Sequence, residues 1–174
     1  MLSAAERRFF ERLSVFVGGW TLEAAEAVGV GDSIDTSEML VLLRTLVEKS
    51  VVQAEPRGNG AMRYRLLETL RQFGQQRLEA SGDAEGVRRL HADYFVALGE
   101  AAELHLRGGP YFASWLDRLE PEQDNLRTAL RWCIASADVE LGLQLGGLVW
   151  RWWFERGTLA EGREVVTGWT CRSN

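Results

Sequence analysis

Cradling phosphate, holding a metal ion, attacking a carbonyl and reading base edges each need particular residue types at particular spacings. This 174-residue sequence supplies few of them. Its one lysine, Lys49, precedes Ser50 but follows Val47-Glu48, with no glycine nearby. A lysine before Ser or Thr holds phosphate only at the end of Gly-x-x-x-x-Gly, whose backbone amides do the rest. Gly29-x-Gly31 is followed by Ile34, not by a third glycine, and reads as a plain turn. His91 and His105 sit on the apolar side of one expected helix. At 1.5 Å per residue they are roughly 21 Å apart, too far to share a metal. Each is expected as a half-buried, hydrogen-bonded side chain. Cys133 lies on an apolar stripe with Leu126 and Leu130 and is expected to pack as a small hydrophobe. No serine stands in a Gly-x-Ser-x-Gly elbow. Glu120 with Glu122, and Asp83 with Glu85, are spaced so that they diverge on a helix, and both pairs read as solvated faces. These residues give no catalytic, cofactor-binding or metal site, and the chain is expected not to be an enzyme.

Two groups remain. Arg57, Arg63 and Arg65 fall on an expected hairpin and would contact phosphates if the chain bound DNA. The reading we favour from sequence is a hairpin packed within a larger protein. Trp150, Trp152, Trp153 and Phe154 put four aromatics into five positions, more than one helix face can bury. They are the candidate partner surface, since tryptophan is a favoured interface anchor. Gly142 and Gly146 lie four apart on the same helix and would admit a close neighbour.

The elements that must position these groups follow from period and punctuation. Ser3 with Glu6 forms a capping box ahead of Phe9, Phe10, Leu13 and Phe16, which predicts a helix to about Val17, stopped by Gly18-Gly19. Thr21 caps a short helix over 22–28. Met39, Leu42, Leu43 and Leu46 stripe a third, whose polar positions are Thr36, Ser37, Glu38, Arg44, Thr45 and Glu48. One arginine among acids makes a poor base-reading surface. The period then changes to two. Residues 50–54 read as a strand and 56–60 as a turn, and Met62, Tyr64 and Leu66 alternate with Arg63 and Arg65 in a second strand with its apolar side inward. Three helices and a hairpin is the order of a winged helix. Leu66, Leu70 and Phe73 start a fourth helix that ends near Ser81-Gly82.

From Ala84 onward only helical patterns appear. They are striped by Val87 to Ala101, Phe112 to Leu119, Leu126 to Cys133 and Leu141 to Trp152, with Pro121 as a break and Thr158 with Glu161 as a last capping box. The expected fold is mainly α: a winged helix over 1–81, then a helical, tetratricopeptide-like solenoid fragment over 82–174 that looks truncated at its C-terminus. No strict repeat aligns.

Residues 1–80 carry a net −1 (10 basic, 11 acidic) and residues 81–174 a net −4 (10 basic, 14 acidic). Neither is the basic body that supplies non-specific phosphate affinity. The longest nearly apolar stretch, 141–154, is shorter than the roughly 20 residues of a membrane span. No secretory leader is visible, and two cysteines make no disulfide framework, so a cytoplasmic setting without membrane partners is expected.

The first eighty residues resemble a known family. Leu2-Ser3-x-x-Glu6-Arg7-Arg8-x-Phe10 and Leu13-Ser14-Val15-Phe16-x-Gly18-Gly19-Trp20-Thr21-Leu22-Glu23-Ala24-Ala25 carry the likeness, with Leu46 to Val52 and Tyr64 to Phe73. They are similar to the winged-helix segment of bacterial STAND-type predicted-ATPase regulators, relatives of LuxR-type and SARP-type transcription factors. Arg89-x-His91-Ala92-x-Tyr94-Phe95, Trp115 to Glu120 and Asp124 to Leu130 look like that family's helical region leading into tetratricopeptide-like repeats. The resemblance covers about residues 2–167. It implies an NB-ARC-like module upstream that holds ATP or ADP, packs against the winged helix and switches between closed and open forms. It implies that the repeats take an inducer or a partner protein, and that DNA is read by a separate domain. No cofactor is expected on this chain, nor nucleic acid as a partner of this chain alone. The function implied is a non-catalytic coupling piece that relays nucleotide state through protein contacts. The alternative is a DNA-binding winged-helix regulator.

Overall fold

A computed structural model describes residues 1–31, 36–57, 60–106 and 108–155, with 36–37 and 148–155 as backbone only. The chain divides into two compact units, residues 1–91 and residues 92 onward.

The first unit opens with α1 (Ala4–Leu13). The capping box forms as expected: Ser3 Oγ accepts from the Glu6 amide at 3.2 Å, and Glu6 accepts from the Ser3 amide at 2.8 Å. The helix stops four residues earlier than its stripe predicts. Ser14 Oγ donates to the Glu11 carbonyl at 2.6 Å, and the amides of Val15 and Phe16 bond three residues back. The chain thus tightens before Gly18 and Gly19 take φ of 76° and 101°. Thr21 Oγ1 caps α2 (Leu22–Gly29) by accepting from the Ala24 amide. α3 (Thr36–Glu48) buries Met39, Leu43 and Leu46. Close approach decides one glycine here: a Cβ on Gly29 would lie 2.4 Å from the Phe9 ring and 2.7 Å from Met39 Sδ.

β1 (Val52–Pro56) pairs antiparallel with β2 (Met62–Leu66), with Glu55 opposite Arg63 and Gln53 opposite Arg65. Trp20 and Tyr64 exchange backbone bonds of 2.8 and 2.9 Å, which ties the segment between α1 and α2 to the hairpin. α4 (Glu68–Ser81) follows and ends on Gly82 in the left-handed conformation. Its buried residues are Gly74 and Leu78. Phe73, expected inside, is more than half exposed, although its ring stacks on Phe10 at 6.4 Å. A Cβ at Gly74 would lie 2.7 Å from that of Ser14, so α1 and α4 touch almost backbone to backbone, leaving no room for a large ring beneath.

The unit's core is apolar and aromatic: Phe9, Leu13, Phe16, Trp20, Val28, Met39, Leu43 and Leu46 are almost wholly enclosed. At roughly 1.5–3 kcal/mol per fully buried large side chain, these residues drive the unit's folding. Phe16 stacks on Trp20 and meets the His91 ring at 5.2 Å. Lys49 closes the other side, donating to Glu6 Oε2 at 2.7 Å and to the Met1 carbonyl at 3.2 Å. The bond from Lys49, and then that from the Ser3 amide, hold the Glu6 carboxyl below its ordinary range.

α5 (Ala84–Leu106) supplies its first turns to the first unit and the rest to the second. In the second unit α6 (Phe112–Leu119), α7 (Gln123–Ala135) and α8 (Val139–Glu155) follow. Pro121 stands at the break between α6 and α7, as expected. It sits in one turn of 3-10 helix over Glu120–Glu122, which joins α6 to α7, and it stands where its missing amide costs nothing. Glu122, expected in solvent, is buried and accepts from Asn125 Nδ2 at 2.8 Å. Cys133 is fully buried beside Leu130 and Ala129, as its stripe predicts. The expected capping box at Thr158 and Glu161 lies outside the described residues. The two-stranded hairpin is the sheet found among the described residues.

Candidate nucleic-acid interface

A winged helix meets DNA, where it does, through the second helix of its helix-turn-helix pair and through its hairpin. Here these are α3 and β1–β2. The buried edge of α3 leaves Glu38, Leu40, Val41, Arg44 and Glu48 exposed. Two of the five are large aliphatics, Leu40 at 58 % and Val41 at 64 % exposure. Arg44, the one cation of that face, donates to Glu48 at 2.8 Å across one helical turn. Its field is therefore partly cancelled before any phosphate arrives. Periodicity marks Leu40 and Val41 as off the buried stripe. Their significance is missed if only the polar positions of the helix are tabulated.

The three wing arginines have three different fates. Arg57 is exposed at the hairpin turn. Arg65 is exposed but forms an ion pair with Glu55 at 2.7 Å and bonds Gln53 at 2.8 Å. Arg63 is only 8 % exposed: its Nη2 donates to the Gly19 carbonyl at 3.0 Å and to that of Gly18 at 3.3 Å. The alternation in β2 predicts Met62 in and Arg63 out, and the structure reverses them, with Met62 exposed. The reason is the Gly18–Gly19 segment, which lies over this side of the hairpin. A Cβ on Gly19 would stand 2.6 Å from the Tyr64 carbonyl and 3.1 Å from Arg63 Nε. Two bare carbonyls there accept the guanidinium and satisfy it, which an apolar side chain could not do.

The other sequence candidates are dispersed. His91 is 1 % exposed in the first unit's core, more enclosed than the half-burial expected. His105 stacks on Trp115 at 5.1 Å, and Arg118 lies 4.8 Å from the same ring, a local cation–π stack of the second unit. Trp150, Trp152, Trp153 and Phe154 lie on the backbone of α8, and their side chains lie outside the described residues. Among the described residues no cluster of His, Cys, Asp and Glu is arranged to hold a metal, and no helix is long and apolar enough to cross a membrane.

With this geometry in view, the similarities are specific. Residues 2–79 match the model of the winged helix-turn-helix domain. This segment is a winged helix-turn-helix domain. Over 162 residues, 93 % of its length, the chain is 39 % identical to "Putative HTH-type transcriptional regulator Rv0890c" of Mycobacterium tuberculosis (strain ATCC 25618 / H37Rv). The Mycobacterium bovis protein "Putative HTH-type transcriptional regulator Mb0914c" is similar to the same degree. Over 88 residues, half of the chain, it is also 39 % identical to "Uncharacterized protein Rv0894" of M. tuberculosis, covering 22 % of that protein. The chain spans 18 % of the length of the two regulators. No solved structure matches it significantly.

Proposed function

We propose that this chain is a segment of a transcriptional regulator and that its winged helix is a DNA-contacting part of that protein. The similarity of nearly the whole chain to two proteins named as HTH-type regulators carries the reading, and it favours DNA contact over a relay of nucleotide state. The geometry sets the strength of the contact. With Arg63 enclosed, and Arg44 and Arg65 both paired with carboxylates, Arg57 is the wing or α3 cation left to meet phosphate. One phosphate neutralised gives a slope of about −1 for log affinity against log salt. Anisotropy of a labelled 30-base-pair duplex, titrated with the chain at about 50 and 200 mM salt, measures this slope. Arg57→Ala should reduce it by about one. No change in anisotropy at about 100 µM protein and low salt would overturn the reading, since non-specific affinities fall between about 10⁻⁴ and 10⁻⁶ M.

One observation favours a second reading. Leu40 and Val41 make the outer face of α3 apolar, as suits a protein partner better than a phosphate backbone. In that reading the chain is the non-catalytic coupling piece of a STAND-type regulator. An ATP- or ADP-holding module elsewhere in the protein would dock on the winged helix, and tetratricopeptide-like helices after residue 82 would receive its state. A duplex that stays unbound in the titration above would favour this second reading.

A further inference from the structure

α3 turns Met39, Leu43 and Leu46 into the core of the first unit. Outward it carries Glu38, Leu40, Val41, Arg44 and Glu48. The two exposed aliphatics, Leu40 and Val41, stand in the first half of a helix that runs from Thr36 to Glu48. In a helix-turn-helix, that half of the second helix is the part that meets base edges in the major groove. We propose that Leu40 and Val41 read the C5-methyl groups of thymine there, so that this winged helix prefers A·T-rich duplex DNA. The proposal rests on the DNA-contact reading above and names the sequence class that such contact would favour.

Each base pair shows the major groove its own set of groups. Guanine shows two acceptors, which are read by side-chain donors, most often Arg or Lys. The thymine methyl is the groove's apolar group, and adenine N6 and cytosine N4 are its donors. Among the described side chains on the outward side of α3, the donors are engaged. Arg44 bonds Glu48 at 2.8 Å, and Thr45 Oγ1 donates to the Val41 carbonyl at 2.8 Å. Glu38 offers acceptor oxygens, which suit an amine such as adenine N6. This surface therefore presents aliphatic side chains and acceptors. It complements a methyl beside an amine and is a poor match for guanine. Val41 stands one turn from Glu38 (i, i+3), so the apolar and acceptor groups share one strip of the helix. Val41 is also β-branched and is held near one rotamer in a helix, so ordering it against a methyl costs little entropy.

The probes are two labelled 30-base-pair duplexes of alternating A·T pairs, identical except that one carries uracil in place of thymine. They share phosphates, minor-groove groups and adenine amines, and differ by the C5-methyl. Anisotropy titrations of the full chain at about 50 mM salt should show the thymine duplex bound about fourfold more tightly, the gain expected from one buried methyl. The double variant Leu40→Ala, Val41→Ala changes two exposed positions to a residue that favours helix, and thermal melts should show that it folds. It should bind the two duplexes equally. Arg57→Ala should weaken both duplexes alike and leave their ratio unchanged, because it acts on phosphate. Equal affinity of the unaltered chain for the two duplexes would overturn the proposal and leave DNA contact standing. A preference that survives in the folded double variant would also overturn it, since the difference would then lie in the shape or stiffness of the DNA. Binding of neither duplex would overturn the proposal together with the DNA-contact reading, and would favour a protein partner on α3.

Discussion

In the winged-helix unit Arg12, Lys49, Arg63 and Arg77 reach partners between 16 and 66 positions away in sequence. In the second unit the bonds of Asn125 to Glu122, Arg127 to Asp124, Thr128 to the Asp124 carbonyl and Leu141 to Asp138 span three or four positions. The first pattern fixes a specific spatial arrangement of distant segments, and its closure entropy is met by a dense aromatic core. The second pattern reinforces single helices and their junctions, and leaves the association of neighbouring helices to stripes such as Leu126, Leu130 and Leu145. A unit built the second way rests on contacts between helices that follow one another in the chain.

The largest test of this contrast is Phe16→Ala. Phe16 joins Trp20 to His91, so its loss should cost about 3–5 kcal/mol in urea unfolding and accelerate amide exchange through α1–α4. A loss below about 1 kcal/mol would mean that the first unit does not depend on its aromatic core. A smaller effect is expected from Asn125→Ala in the second unit. It removes a donor from buried Glu122 and should cost about 1–3 kcal/mol, with the exchange change centred on the α6–α7 junction. The smallest concerns a short-range pair inside the first unit. Arg71, then Gln72, hold the Glu68 carboxyl down at about 2 from an ordinary 4.5. A depressed carboxylate contributes stability that is present above the ordinary value and lost as pH falls toward 2. Glu68 is mostly exposed, so screening keeps Glu68→Gln below about 1 kcal/mol at pH 7. Melting temperatures of the two proteins should differ slightly at pH 7 and converge near pH 2. A gap that persists at pH 2 would show that the ion pair is not its source.

Local chemistry made part of this fold legible. The Ser3–Glu6 box, the Thr21 cap, the limits of β2 and the stop at Gly82 all follow from residues within a few positions of one another. What escaped depends on distant partners. Alternation could not place Arg63 inward, because its acceptors lie more than forty residues earlier. Phe73 looked like core until α1 and α4 met through Gly74. Glu122 looked solvated because its partner, Asn125, reads as an ordinary polar residue on the first turn of α7. The helix-turn-helix order was readable, but the apolar outer face of α3 becomes meaningful only once its buried edge is fixed by Met39, Leu43 and Leu46.

Lys49 is the sequence's sole lysine, and its nitrogen already clasps Glu6. Acylating that one amine would erase the cation and unhook α1 from the turn after α3 in a single step. A reagent that acylates amines meets a single lysine side chain here beside the Met1 α-amino group, and the rate at which it reacts with Lys49 tracks how often that clasp opens.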